Sequence, residues 1–201
     1  YPERHELQWD LGYMGTYSPD RQPGLDRLLL KPARELRDCH FVVAGPNFPQ
    51  VESWPGNVKH FTHLAPDRHR VFYNEQRFTL NLTRAAMAAV GFSPSVRLFE
   101  AGACGVPIIS DQWEGLNTFF TPGEEILVAA SPAEVTEMLK DMPETQRAAI
   151  GARARAAVLV RHTAAHRALE LESYMAEIGS ALPQGSSAAT GAAASARESG
   201  F

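Results

Sequence analysis

Apolar and polar positions follow two periods along this chain, and their succession predicts strands alternating with helices. Leu11-Gly-Tyr-Met-Gly15-Thr-Tyr-Ser18 reads as a short strand ending in a turn. Leu25, Leu28, Leu29, Ala33 and Leu36 then recur at helical spacing, which predicts a helix over 20–36. His40-Phe-Val-Val-Ala-Gly45-Pro46 is a buried strand stopped by Gly-Pro. Val58 to Leu64 alternates as a third strand, and Pro66 to Gln76 is a short helix with Pro near its first turn. Phe78 to Thr83, Pro107 to Ser110 and Glu125 to Ala129 complete six strands. Ser95 to Ala103 is a helix closed by Gly105, and Ser131 caps another. From Pro143 to Ile178 the pattern is helical, with a break expected near Gly151.

Such alternation implies an α/β, Rossmann-like fold: a parallel sheet with helices on both faces. Ligands of such sheets bind at the carboxyl ends of the strands. Three connections there, 15–23, 83–97 and 110–117, are rich in polar and small residues and are the expected site. The domain is expected over 11–180. Residues 1–10 are unpatterned, like a linker or a truncated N-terminal segment, and 181–201 are Ala, Ser and Gly, expected to be a disordered tail.

Composition narrows the function. With 44% hydrophobic residues, 201 positions suffice for one core. A net charge of −4 with scattered basic residues argues against a nucleic-acid surface. No apolar run reaches the ~20 residues of a membrane span. Cys39 and Cys104 sit in apolar settings, which suggests free thiols and a cytoplasmic setting. No signal peptide is visible, and the chain begins at Tyr1 without Met, so its true N-terminus is a candidate for being missing.

Four stretches carry candidate chemistry. In Gly15-Thr16-Tyr-Ser18-Pro-Asp-Arg21 the glycine permits close backbone approach, the hydroxyls hydrogen-bond, and Arg21 offers a planar fork to phosphate. The competing reading is a turn in which Ser18 or Asp20 caps the next helix. In Gly91-Phe-Ser93-Pro-Ser95-Val-Arg97-Leu-Phe-Glu100 a serine caps a helix whose free N–H groups face the sheet edge, an anion site. Glu100, among apolar neighbours, needs a donor, either a ribose hydroxyl or a nearby Arg or Lys. Ser110-Asp111-Gln112-Trp-Glu-Gly115 can grip hydroxyls of a sugar or edges of a base, or be a solvated loop anchored by Trp113. Thr79-Leu-Asn81-Leu-Thr83-Arg84 ends the fourth strand; Asn81 suits a role within the sheet, Thr83 and Arg84 a role toward ligand. His63 faces a base or packs in its loop, the latter slightly preferred. His162 and His166, four apart, lack a third metal ligand and read as a helix face. No Gly-x-Gly-x-x-Gly follows a first strand, which argues against a nicotinamide-dependent oxidoreductase.

The stretch Ser95-Val-Arg-Leu-Phe-Glu100-Ala-Gly-Ala-Cys-Gly105-Val-Pro107 resembles the donor-site helix of group 1, retaining glycosyltransferases. Together with Gly15–Arg21 and Thr79–Arg84 it is most similar to the CgeB-like, spore-maturation-type glycosyltransferases, over roughly 11–175. The resemblance implies the donor-binding half of a GT-B fold. It would bind a nucleotide-diphosphate sugar, need no obligatory metal, and work with an N-terminal acceptor-binding domain absent here. It places phosphate on Arg21 and ribose on Glu100. A second glutamate, eight residues earlier in that superclass and touching the donor sugar, is Phe92 here, which favours the alternative of a non-catalytic nucleotide-sugar-binding or assembly module. In this fold the closing helices, here with His162-Thr-Ala-Ala-His166-Arg167, cross back toward the first domain.

Overall fold

The computed structural model describes residues 6–181. Six strands form one sheet in the order β3-β2-β1-β4-β5-β6: β1 Trp9–Met14, β2 Phe41–Ala44, β3 Val58–Phe61, β4 Gln76–Asn81, β5 Ile108–Ser110 and β6 Leu127–Val128. Every neighbouring pair is parallel. The fold is α/β and Rossmann-like, as the alternation of periods implied. The strand order reverses at β1 and β4, whose carboxyl ends therefore send their loops to opposite faces and leave a crevice between them.

The strands read as continuous apolar runs because both faces are covered. In β2, Phe41 and Val43 join a cluster with Leu25, Leu28, Leu29 and Leu139, while Val42 and Ala44 join Phe72, Leu98, Ala101 and Val158 on the other face. The first helix is α1 (Gln22–Leu25) and α2 (Lys31–Glu35) joined by a π-helical turn, Asp26–Leu30. Pro32 has no N–H for a regular bond, and Lys31 N–H reaches back to Asp26 O, so the chain widens here rather than breaking.

Several boundaries move. β1 starts at Trp9, so the last two residues of the stretch read as linker are already strand, with Asp10 paired to Arg77 at 2.7 Å. The helix expected over 66–76 is a 3₁₀ turn, Pro66–Arg68, then α3 (His69–Asn74); Gln76 already opens β4. The 83–97 connection contains α4 (Ala85–Val90), and the 110–117 connection runs into α6 (Leu116–Phe119). α5 spans Val96–Cys104 and ends at Gly105, in a left-handed conformation. α7 (Pro132–Asp141) starts in a full capping box between Ser131 and Glu134.

The expected break at Gly151 is absent: α8 runs from Glu144 to Arg161. The glycine serves close packing instead. A Cβ at Gly151 would lie 2.1 Å from the carbonyl oxygen of Gly105, so only a bare Cα lets α8 rest on the end of α5. The chain pauses at His162–Thr163, and a second compact unit begins at Ala164 with α9 (Ala164–Ala181). His162 thus caps α8 while His166 lies in α9, and the two share no helix face. Cys39 and Cys104 are free thiols, both pushed up in pKa by burial. The tail expected over 181–201 lies, beyond Ala181, outside the described residues.

Candidate functional site

A cavity of about 300 Å³ opens at the carboxyl edge between the loops after β1 and β2 and the start of α5. Gly45 sits there at φ +143°, a conformation that favours glycine, and a Cβ on it would lie 2.1 Å from the Gly15 carbonyl oxygen. The two loops therefore meet backbone to backbone, fixed by Gly15 N–H to Ala44 O and Gly45 N–H to Phe61 O, each 2.8 Å. Ser95 is the N-cap of α5 with no side-chain capping bond, so the first N–H groups of the helix stay available beside the cavity.

Arg97 is buried, with 7% of its surface exposed. Its Nε donates to Met14 O, its Nη1 donates to Asn81 Oδ1 at 3.0 Å, and its guanidinium lies 4.9 Å from the centre of the Tyr13 ring. Its Nη2 stands beside Gly15, 2.7 Å from where a Cβ would be, and Arg97 lines the cavity. Arg21 donates from Nη2 to Thr16 O at 2.5 Å, while its Nε is buried without a partner. Burial, and then the like charges of Arg97 and Arg84, push the Arg21 guanidinium below its ordinary 12.5. Arg97 and Arg84 are thus near enough to act on Arg21, and Tyr13 and Asp20 oppose them. Arg21 itself lines a separate small pocket with Tyr13, Ser18 and Phe48 rather than the wall of the larger cavity.

Glu100, one turn into α5, lines the cavity half-buried and accepts from the Tyr73 hydroxyl at 3.3 Å. No Arg or Lys pairs with it among the described residues, so the ion-pair alternative is replaced by a neutral tyrosine. Burial, with Glu100 adding to it, raises the Tyr73 hydroxyl well above its ordinary pKa and keeps it a proton donor. His63 is exposed and lines the cavity, against the packed reading, because β3 ends at Phe61 and leaves His63 in the loop.

The remaining candidates divide. Gly15 and Thr16 line the cavity. Ser18 donates to Asp20 Oδ1, and Asp20 Oδ2 accepts from Ala85 N–H at 2.8 Å, so this hydroxyl ties loops together. Thr83 and Asp111, expected to meet different parts of a ligand, bond each other: Asp111 accepts from Thr83 N–H at 2.9 Å and from its hydroxyl at 2.8 Å. Burial still raises the Asp111 carboxyl above its ordinary pKa. Gln112 donates to Trp113 O at 3.2 Å, and Gly115 starts α6 at φ +92°. Ser93 is half-buried beside Phe92, outside the cavity wall. Arg84 is exposed at the start of α4. Phe92, at φ +49° and 58% exposed, lies over Gly115, where a Cβ would come within 2.5 Å of the ring. His69, Met14 and Leu64 also line the cavity and had no sequence signal, because only the fold brings them together.

Among the described residues no cluster of three His, Cys, Asp or Glu can hold a metal ion, and no helix is long and apolar enough to cross a membrane.

Comparison with known proteins fits this geometry. A sequence model of the family described as glycosyl transferase-like matches residues 21–173. No curated protein matches the chain in sequence. Sucrose-phosphate synthase of Thermosynechococcus elongatus superposes with a TM-score of 0.67 at 15% identity, over 87% of this chain and 47% of its own. BGT of T4 phage, solved with its UDP-glucose substrate, gives 0.70 at 10% identity, over 88% and 51%. The C-terminal domain of the group 1 glycosyl transferase LpcC from Francisella tularensis gives 0.60 at 13% identity, over 82% and 96%. The chain thus spans about half the length of the first two and nearly all of an isolated C-terminal domain. At these identities the likeness is one of fold.

Proposed function

Since the chain belongs to the glycosyl transferase-like family, we propose that its carboxyl-edge cavity binds the nucleoside diphosphate of a nucleotide sugar, and that it is the donor half of a CgeB-like, GT-B-type transferase. One observation carries the reading. Arg97 stands on the cavity wall beside the uncapped start of α5 with its Nη2 unpartnered among the described residues, and Arg21 lies behind the same loop, bonded to the carbonyl of Thr16, which also lines the cavity. Like charges held together and partly desolvated cost stability unless an anion joins them.

The chemistry follows from that field. In glycosyl transfer the bond from the anomeric carbon to the diphosphate oxygen breaks, and negative charge grows on the departing diphosphate. Fixed guanidiniums and helix N–H groups stabilise that charge without reorganising. Glu100 accepts from the ribose hydroxyls, with Tyr73 holding one carboxylate oxygen. Gly15, Thr16, Ser95 and Arg97 surround the phosphates, and His63 lies toward the base. Solved relatives bound to UDP-glucose support a uridine nucleotide as the first probe. The acceptor belongs to a further domain, and the protein acts in the cytoplasm.

The alternative of a non-catalytic binding module draws on Phe92, an exposed phenyl ring where the resemblance expects a carboxylate. A panel of nucleotide sugars screened for thermal stabilisation tests the proposal, since ligand binding raises Tm by mass action. A selective rise with one nucleoside-diphosphate sugar supports it. No rise with any nucleotide at millimolar concentration contradicts it.

A further inference from the structure

Arg97 breaks a general rule: a buried cation should have an anion beside it. Its three nearest partners are neutral. They are the Met14 carbonyl, the Asn81 side-chain oxygen and the Tyr13 ring face. Glu100, one turn further along the same helix, is turned to Tyr73 instead. The side chain is more than nine-tenths buried, and its remaining nitrogen, Nη2, stands at Gly15 on the cavity wall with no partner among the described residues.

The decisive position is Asn81. It is fully buried at the end of β4, where its Oδ1 takes the Arg97 Nη1 proton. Its Nδ2 donates to Ser110 Oγ at 3.0 Å, and Ser110 Oγ donates to the Asp111 carbonyl at 2.9 Å. Every polar atom of Asn81 is therefore used, and the amide presents oxygen to the arginine because its nitrogen is committed to the serine. An aspartate has the same shape and would be the usual partner for a buried guanidinium. It would also cancel the charge.

We propose that Asn81 is the positioning residue that holds Arg97 while leaving its charge uncompensated, so that a full positive charge is delivered to the diphosphate. This rests on the reading of the cavity as a nucleoside-diphosphate site. It makes one buried neutral amide a determinant of the preference for diphosphate over bare nucleoside. The chain Arg97–Asn81–Ser110–Asp111 spans β4 and β5, and Thr83 closes it by donating to Asp111. Thr83 and Asp111 thereby brace the arginine from behind.

The test is calorimetric titration of UDP and uridine into the wild type, Asn81→Asp, Asn81→Ser and Arg97→Gln, each at matched folded fraction. Asn81→Asp should weaken UDP binding by about one to two decades, the range of a charged hydrogen bond, and leave uridine affinity unchanged. Asn81→Ser, which stays neutral, should retain most of the preference for UDP. The salt dependence of UDP binding should flatten in Asn81→Asp, since one charge fewer faces the ligand. Equal loss in the aspartate and serine variants would make Asn81 merely structural and overturn the proposal. Should Asn81→Asp fail to fold, Arg97→Gln decides. It removes the charge at its source, and unchanged UDP affinity in it sinks the inference. UDP binding by the wild type that none of these variants alters refutes this inference alone. No UDP binding by the wild type refutes the reading beneath it as well.

Discussion

Replacing Gly45 by alanine tests whether the cavity floor is built as described. The new Cβ would lie 2.1 Å from the Gly15 carbonyl oxygen and 2.7 Å from its carbon, far inside contact distance, on a backbone at φ +143°. A non-glycine residue in such a region costs about 1–3 kcal/mol before any clash is counted. Relief requires the loop after β1 to retreat, which strains the Gly15–Ala44 and Gly45–Phe61 bonds. Together these predict a loss of about 2–4 kcal/mol, a large share of a typical 5–15 kcal/mol domain stability. Urea unfolding measures it, as a lowered midpoint at unchanged m-value. UDP affinity per folded molecule should fall too, because Gly15 carries one wall of the cavity. Gly56→Ala is the control. Nothing lies within 4 Å of its new Cβ, and it should stay within about 0.5 kcal/mol or stabilise slightly. A Gly45→Ala protein as stable as Gly56→Ala would refute the backbone-to-backbone floor.

Two further predictions concern the scaffold. Gly151→Ala should destabilise by about 1–3 kcal/mol, although alanine normally favours a helix by up to about 1 kcal/mol, because its Cβ meets the Gly105 carbonyl at 2.1 Å; a raised Tm would contradict this. Glu144 is held below its ordinary 4.5 by the Arg147 hydrogen bond, so its folded pKa lies below its unfolded one. Its stabilising contribution is present above about pH 4.5 and is lost as pH falls through the lower folded value. Glu144→Gln should therefore flatten the acid side of the stability curve, and an unchanged pH dependence of the urea midpoint would count against the ion pair.

The sheet was legible because buried parallel strands leave apolar runs of a recognisable length, as at Phe41–Ala44. What the sequence hid depends on contacts between distant residues. Ala85–Val90 gave no helical signal because an alanine-rich stretch lacks polar contrast. Gly151 suggested a break, yet the same lack of a Cβ permits a close helix contact, and only the position of Gly105 decides between them. Arg97 and Glu100 could be read from sequence as residues of a helix starting at the carboxyl edge of the sheet, and both line the cavity there. That Thr83 and Asp111 would satisfy each other, or that Glu100 would meet Tyr73, follows from β4, β5 and α3 meeting in space. No local pattern encodes it.

The most direct test of the central claim is calorimetric titration of UDP and of uridine into Arg21→Ala and Glu100→Ala, at matched folded fraction. In the proposed site Arg21 meets phosphate and Glu100 meets ribose. Arg21→Ala should therefore weaken UDP binding by about one to two decades and leave uridine binding intact, since a charged hydrogen bond contributes roughly 1.5–3 kcal/mol. Glu100→Ala should weaken both ligands alike. Unaltered affinity for UDP and uridine in both variants would contradict the assignment of this cavity to a nucleotide donor.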